Sequence, residues 1–100
     1  MTVDVGFIRA AFDMASNDNE RVAALDLAAK DYRGSMDNSV MSFLAETVLD
    51  TSYSKEVRLV AYLVLYEVSS RDLRALPNVD RFKMPESLDL AFLNDCIAKA

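Results

Sequence analysis

The chain has 100 residues, of which 52% are apolar and 27% charged, which is enough apolar surface for one folded domain with a modest core. Only two glycines and two prolines occur, whereas β-sandwiches and barrels need turn residues about every ten positions. The net charge of −5 disfavours general binding to nucleic acids or anionic membranes. We therefore expect a single all-α domain over residues 1–100.

The first two helices are predicted to form a hairpin over residues 4–34. Asp4 is a good N-cap for the first helix, which carries apolar side chains at helical spacing. Asn17, followed three residues later by Glu20, resembles a capping box and predicts a second helix from about residue 18. Gly34 stands where a left-handed residue commonly ends a helix.

A second hairpin is predicted over residues 36–70. Asp37 or Ser35 can cap its first helix, at about 37–50, and the polar turn 51–54 leads into a helix at 55–70. Residues 59–66 of that helix are apolar on every side, which predicts enclosure by neighbours. A buried strand is the alternative, but length and the flanking serines favour a helix. We expect this helix to lie between the first hairpin and a closing helix.

The last thirty residues differ in pattern from the two hairpins. Pro77 and Pro85 prevent one continuous helix, so residues 71–84 are predicted to form an irregular linker. Proline is tolerated at the first helical position, and a closing helix is therefore predicted at 85–99. We expect this helix to cap the open end of the hairpins.

An internal repeat relates the two hairpins. At an offset of 37 residues, the segment 7–25 aligns with 44–62. Identical residues then coincide in three pairs: Asp13 with Asp50, Arg21 with Arg58, and Ala24 with Ala61. The repeated unit is one whole helix–turn–helix, as expected for a helical repeat protein.

The second unit also carries a recognisable local pattern. An apolar helix ends at Leu49 and Asp50, and after a short turn Val57 and Arg58 open the next helix, with Ala61 one turn on. This pattern resembles that of HEAT repeats over about residues 4–70. The resemblance implies two stacked antiparallel hairpins, in which Asp and Arg side chains hydrogen-bond between neighbouring repeats. By that resemblance the structural repeat positions are Asp13, Arg21, Asp50 and Arg58.

Residues that commonly carry chemistry are scarce in this sequence. Histidine is absent, which removes the commonest general base and the commonest metal ligand. Cys96 is the only cysteine and lies on the apolar face of the predicted closing helix, so we expect a buried thiol. There is no glycine-rich phosphate loop, and no residue spacing typical of zinc or calcium sites. We predict neither an enzyme nor a cofactor or metal.

Two surfaces are candidates for binding a partner. The linker mixes basic and apolar side chains, a composition enriched at protein interfaces. Its candidate residues are Arg71, Arg74, Arg81, Phe82, Lys83 and Met84. The alternative is that its apolar residues cover the core and its charges are solvated. The other surface is an acidic face that would include Asp26, Asp31, Asp37 and Glu46.

The leading functional hypothesis is a non-catalytic module that binds a protein partner. A concrete form is a small acidic inhibitor of a basic toxin, of the bacterial immunity-protein or antitoxin type. Alternatives are a carboxylate- and tyrosine-based enzyme with a deep pocket, nucleic-acid binding through the linker, and a homodimer with an unrecognised ligand. The single cysteine and the lack of a secretory signal or a long apolar run predict a cytoplasmic protein without a membrane span.

Overall fold

A computed structural model describes residues 3–71 and 89–99 of the chain. Within these ranges the protein is all α-helical, as predicted, with no strand. Its five helices are α1 (Val5–Asp13), α2 (Asp18–Tyr32), α3 (Asn38–Leu49), α4 (Lys55–Val68) and α5 (Leu90–Ala98). No helix in the described part is long and apolar enough to cross a membrane. Most of the predicted linker lies outside the described residues.

Polar side chains begin four of the five described helices by accepting otherwise unpaired backbone amides, whereas Asp4 precedes α1 without a side-chain cap hydrogen bond. The Asn17 carboxamide oxygen accepts the Glu20 amide at 2.9 Å, which confirms the predicted cap of α2. Asp37, one of the two predicted caps of α3, accepts amides at 2.9 and 3.1 Å from the first turn of the helix. Ser35 instead accepts the amide of Asp37, so the two candidate caps act in series.

The closing helix begins later than predicted. Asp89 has a non-helical backbone, with φ −84° and ψ 87°, and its carboxylate accepts the Phe92 amide at 3.1 Å. It is therefore the N-cap of α5, which begins at Leu90, and the predicted start at Pro85 lies outside the described part. Aspartate at the N-cap satisfies an unpaired amide, which proline at the first position cannot do.

The core is built around α3. This helix packs along both α4 and α5, while α1 packs mainly on α2, and α2 packs on α4. Eight of the twelve α3 residues are buried: Val40, Met41, Ser42, Phe43, Leu44, Ala45, Thr47 and Val48. The expectation that α4 lies between the first hairpin and the closing helix is only partly met. α4 contacts α2, but α5 lies along α3 and reaches α4 only through side chains.

Two tyrosines of α4 hold the start of α5. The Asp89 amide donates to the Tyr62 hydroxyl at 2.9 Å, and the Tyr66 ring meets the Phe92 ring edge-on at 5.7 Å. Burial raises the pKa of Tyr62 to about 12, which keeps its phenol neutral. The hydroxyl group of Tyr62 is therefore an enclosed part of the contact between α4 and α5.

The C-terminus of α4 ends in a Schellman motif with serine at the left-handed position. Ser70 has φ 62°, and its amide donates to the Glu67 carbonyl at 3.4 Å. The next amide, that of Arg71, donates to the Tyr66 carbonyl at 2.9 Å. These two bonds form the pattern that satisfies the free carbonyl groups at a helix end.

The connection between α2 and α3 supplies further donors to the same helix end. The Gly34 amide donates to the Glu67 carbonyl, and the Met36 amide donates to the Val68 carbonyl, both at 2.9 Å. Gly34 adopts φ 71°, which confirms the predicted left-handed residue after α2. The end of α4 is thus capped both by its own chain and by the loop between the two hairpins.

A pair of glycine substitutions tests this arrangement. In Gly34→Ala, a side chain must adopt a left-handed backbone with its Cβ 3.3 Å from the Ser70 hydroxyl oxygen. We expect the free energy of unfolding to fall by about 1–2 kcal/mol in urea denaturation. In the control Gly6→Ala, within α1, the new Cβ meets only the movable Asp4 carboxylate. Because glycine costs a helix about 0.5–1 kcal/mol relative to alanine, the control should be neutral or stabilising. An equal fall in the free energy of unfolding in both variants would contradict a special role for the left-handed backbone of Gly34.

The Tyr62 contact predicts a specific alkaline transition. The folded pKa of about 12 exceeds the ordinary value of 10.0 for tyrosine, so the neutral phenol is favoured by folding. Its contribution to stability is complete below pH 10 and is lost as the pH rises towards about 12. In Tyr62→Phe, we expect the free energy of unfolding near neutral pH to fall by about 1 kcal/mol. We also expect it to decrease less steeply than in the wild type as the pH rises through the alkaline range. Circular dichroism with phenolate absorbance measures both effects. Ionisation of Tyr62 near pH 10 with the helices intact would show that its hydroxyl is not enclosed.

Candidate functional site

A groove with a volume of about 120 Å³ lies between α1 and α3. We call it the acidic groove. Its lining residues are Arg9, Phe12 and Asp13 of α1, Phe43, Glu46 and Thr47 of α3, Asp50 at the C-terminal cap of α3, and Tyr53 from the turn before α4. The groove therefore combines one basic, three acidic and three aromatic side chains.

Helix periodicity explains why these residues meet. The α1 residues are spaced i, i+3 and i+4, and the α3 residues with their cap are spaced i, i+3, i+4 and i+7, so each set forms one stripe along its helix. Because α1 packs mainly on α2, its contact with α3 is limited and the two stripes do not close on each other. The groove is the space that remains between them.

The floor of the groove is aromatic. The Phe12 ring meets the Phe43 ring edge-on at 5.5 Å and the Tyr53 ring at 5.1 Å. Phe12 and Phe43 are only 2% and 4% exposed, so both belong to the core. Thr47 is also buried, and its hydroxyl donates to the Phe43 carbonyl at 2.9 Å. Edge-to-face pairs of this kind hold the rings in fixed positions.

The rim of the groove carries the charges. Arg9 reaches across from α1, with its guanidinium 3.7 Å from the Glu46 carboxylate and 4.9 Å from the centre of the Phe43 ring. The remaining carboxylates are Asp13 and Asp50, so the rim has three negative charges against one positive. Both pairs, Arg9 with Glu46 and Asp13 with Asp50, are separated by the 37 residues of the sequence repeat.

Two groups that line the groove have displaced pKa values. Hydrogen bonds from the Ser52 hydroxyl, at 2.6 Å, and the Ser52 amide, at 2.9 Å, lower the pKa of Asp50. Partial burial, together with the nearby charges of Asp50 and Asp13, raises the pKa of Tyr53. At neutral pH the groove thus holds a firmly ionised carboxylate beside a neutral phenol.

The four structural repeat positions make contacts other than the Asp–Arg bonds that the resemblance implies. Asp13 and Asp50 lie on the rim of the groove. The Arg21 guanidinium donates at 2.8 Å to Asp18 of its own helix, and Arg58 donates at 2.7 Å to the Val48 carbonyl within the second hairpin. All four positions are described, but they do not pair with one another.

A different aspartate links the two hairpins. The Ser54 hydroxyl hydrogen-bonds to Asp18, which with the Arg21 contact lowers the pKa of this carboxyl group. The Arg21 guanidinium also stands 5.9 Å over the Tyr53 ring. The link between the turn at 51–54 and the start of α2 is therefore made by Asp18, a residue that the repeat alignment does not single out.

Arg71 is the one candidate of the predicted binding linker that the structure describes. Its guanidinium lies 3.9 Å from the Phe92 ring centre and 5.5 Å from that of Tyr66, and 3.6 Å from the Asp89 carboxylate. These contacts hold α5 to the end of α4. The remaining candidates, Arg74, Arg81, Phe82, Lys83 and Met84, lie outside the described residues, so that binding surface stays a prediction.

The predicted acidic face is divided among several places. Asp31 accepts the Val3 amide at 2.9 Å, and Asp37 caps α3. Asp26 lies in a shallow depression beside Arg33 and Glu67, whereas Glu46 belongs to the acidic groove. Only Glu46 thus contributes to the candidate site.

Other reactive groups of the described chain lie apart from the groove. Cys96 is buried, as predicted, and burial raises the pKa of its thiol. Among residues 3–71 and 89–99, no three His, Cys, Asp or Glu side chains are grouped so that they could hold a metal ion.

Sequence reasoning did not single out Arg9, Phe43 or Thr47. The signal was present as two stripes, Arg9 with Asp13 at i, i+4, and Phe43 with Glu46 and Asp50 at i, i+3 and i+7. Neither stripe shows that it faces the other. That information comes only from how α1 packs.

Comparison with known proteins adds no relative to this description. No family model matches the sequence, and neither the curated proteins nor the solved structures contain a chain found to be similar. The HEAT-like interpretation therefore stays a prediction from the internal repeat and the local pattern of the second unit, and the case for a function rests on the geometry of the groove.

Proposed function

We propose that this protein is a non-catalytic interaction module that binds a basic segment of a protein partner in the acidic groove. The observation that carries the proposal is an aromatic floor, with the Arg9 guanidinium seated on the Phe43 ring, under a rim of three carboxylates. A cation over an aromatic face, beside carboxylates, is a recurring mode of recognition for basic groups. The net charge of −5 favours the approach of a basic protein over long range.

The size of the groove favours a side chain of a protein over a free small molecule. Its volume of about 120 Å³ is below the range of roughly 300–1,000 Å³ typical of small-molecule sites. Phe7 and Met14, 60% and 83% exposed, are seven residues apart and share one face of α1, on the side of the helix away from Arg9, Phe12 and Asp13.

The electrostatics support binding more than catalysis. A general acid near neutral pH needs a carboxyl group with a raised pKa. Among the described residues, the carboxyl groups with displaced pKa values are Asp18 and Asp50. Both pKa values are lowered, and in each case a hydrogen bond from serine is the leading cause. Such groups stay ionised and attract cations. An acidic inhibitor that covers a basic toxin is one form that this binding can take.

The proposal extends to architecture and location. The packing of α1 on α2, of α3 on α4, and of α2 on α4 supports a HEAT-like stack of two hairpins. A single buried thiol supports a reducing, cytoplasmic environment.

Charge-matched double variants test the groove as the binding surface. In Asp13→Asn/Glu46→Gln, two rim charges are removed, and we expect the partner captured by the wild-type protein from its host lysate to bind about tenfold more weakly. The purified partner would be titrated by calorimetry at two salt concentrations. The weaker binding should also depend less on salt, because fewer charges contribute.

The control is Asp26→Asn/Glu56→Gln, which removes the same charge from exposed positions outside the groove. It should retain wild-type affinity. Equal weakening by both double variants would mean that only net charge matters, and unchanged binding by both would place the partner on another surface. Either result would refute the groove as the site.

A further inference from the structure

We infer that the group bound in the acidic groove is an arginine side chain of the partner, and that Arg9 occupies its place in the free protein. This inference rests on the proposed function and specifies the chemistry of the ligand. The groove already holds one guanidinium, on an aromatic ring and beside a carboxylate. The same two interactions are available to an arginine from outside.

The contacts of Arg9 are favourable in type but loose in geometry. Its guanidinium lies 4.9 Å from the Phe43 ring centre, within the distance of about 6 Å at which cation–π attraction operates. Its ion pair with Glu46 is long, at 3.7 Å, and the two side chains are 43% and 51% exposed. Exposed pairs of this kind contribute little net stability. Arg9 can therefore leave the groove at small cost.

The rim has more negative charge than Arg9 can neutralise. Asp13 and Asp50 line the groove together with Glu46, and Asp50 is held ionised by Ser52. An arriving cation can pair with these carboxylates without removing any existing ion pair except that of Arg9. The groove in the free protein thus has both a weakly held occupant and unused charge.

The chemistry favours arginine over lysine. A guanidinium is planar, stacks on aromatic rings and pairs with carboxylates through two parallel N–H groups, whereas an ammonium is a strongly hydrated point charge. The chain itself repeats this mode, once over the groove residue Tyr53 and once at the start of α5. Arg21 stands 5.9 Å over Tyr53, and Arg71 stands 3.9 Å over Phe92 beside the Asp89 carboxylate.

The test uses three small amides as probes of the full-length, isotope-labelled protein. These are the Nα-acetyl amides of arginine, lysine and citrulline, the last being nearly isosteric with arginine but uncharged. Binding is followed by the amide chemical shifts of Phe43, Glu46 and Asp50. We expect saturable shifts with the arginine amide, about tenfold weaker binding of the lysine amide, and no binding of the citrulline amide.

Substitution of the internal occupant provides the second measurement. In Arg9→Gln, the competing guanidinium is gone and the rim is more negative, so we expect the arginine amide to bind about three- to tenfold more tightly. The control Arg33→Gln changes the net charge by the same amount at an exposed position in the depression beside Asp26 and Glu67. It should leave the affinity for the arginine amide unchanged.

The outcomes separate this inference from the proposed function. Equal binding of the lysine and arginine amides, or no gain in Arg9→Gln, overturns the inference. If the protein partner nevertheless requires Asp13 and Glu46 for binding, the proposed function stands even though the arginine inference has failed. Conversely, selective binding of the arginine amide with a partner that ignores the groove variants would refute the proposed function while leaving the arginine site intact.

Discussion

The burial of α3 is the constraint on which the rest of the structure depends. With Leu44, Ala45 and Val48 fully inaccessible to solvent, this helix must be covered on most of its circumference. α4 and α5 cover two sides of it, and α1, which is anchored to α2, covers a third side only in part. The groove follows from this incomplete cover. It lies on the side of α3 that is covered by aromatic rings, because no other helix packs closely against α3 there.

The groove also balances two opposing requirements. The contact of Phe12 with Phe43 draws α1 towards α3, while the like charges of Asp13, Glu46 and Asp50 repel one another across the same gap. Arg9 offsets part of this repulsion by lying between the two helices. Under the proposed function, a bound cation would reduce this repulsion further.

The sequence predicts those features that depend on neighbouring residues. The caps at Asn17 and Asp37 and the left-handed Gly34 follow from local backbone requirements, and all three are observed. The position of Asp89 at the start of α5 involves a distant contact, the hydroxyl of Tyr62, which no local pattern predicts. The groove depends on distant contacts as well. Its two stripes are readable in the sequence, but whether they close or stay open depends on how far α1 lies from α3, which no local pattern records.

The loop between the hairpins has a consequence for how the molecule unfolds. The Gly34 and Met36 amides donate to the last carbonyls of α4, so two backbone hydrogen bonds cross the boundary between the hairpins. Opening either the loop or the final turn of α4 breaks both bonds. We therefore expect the local stability of these two segments to be coupled.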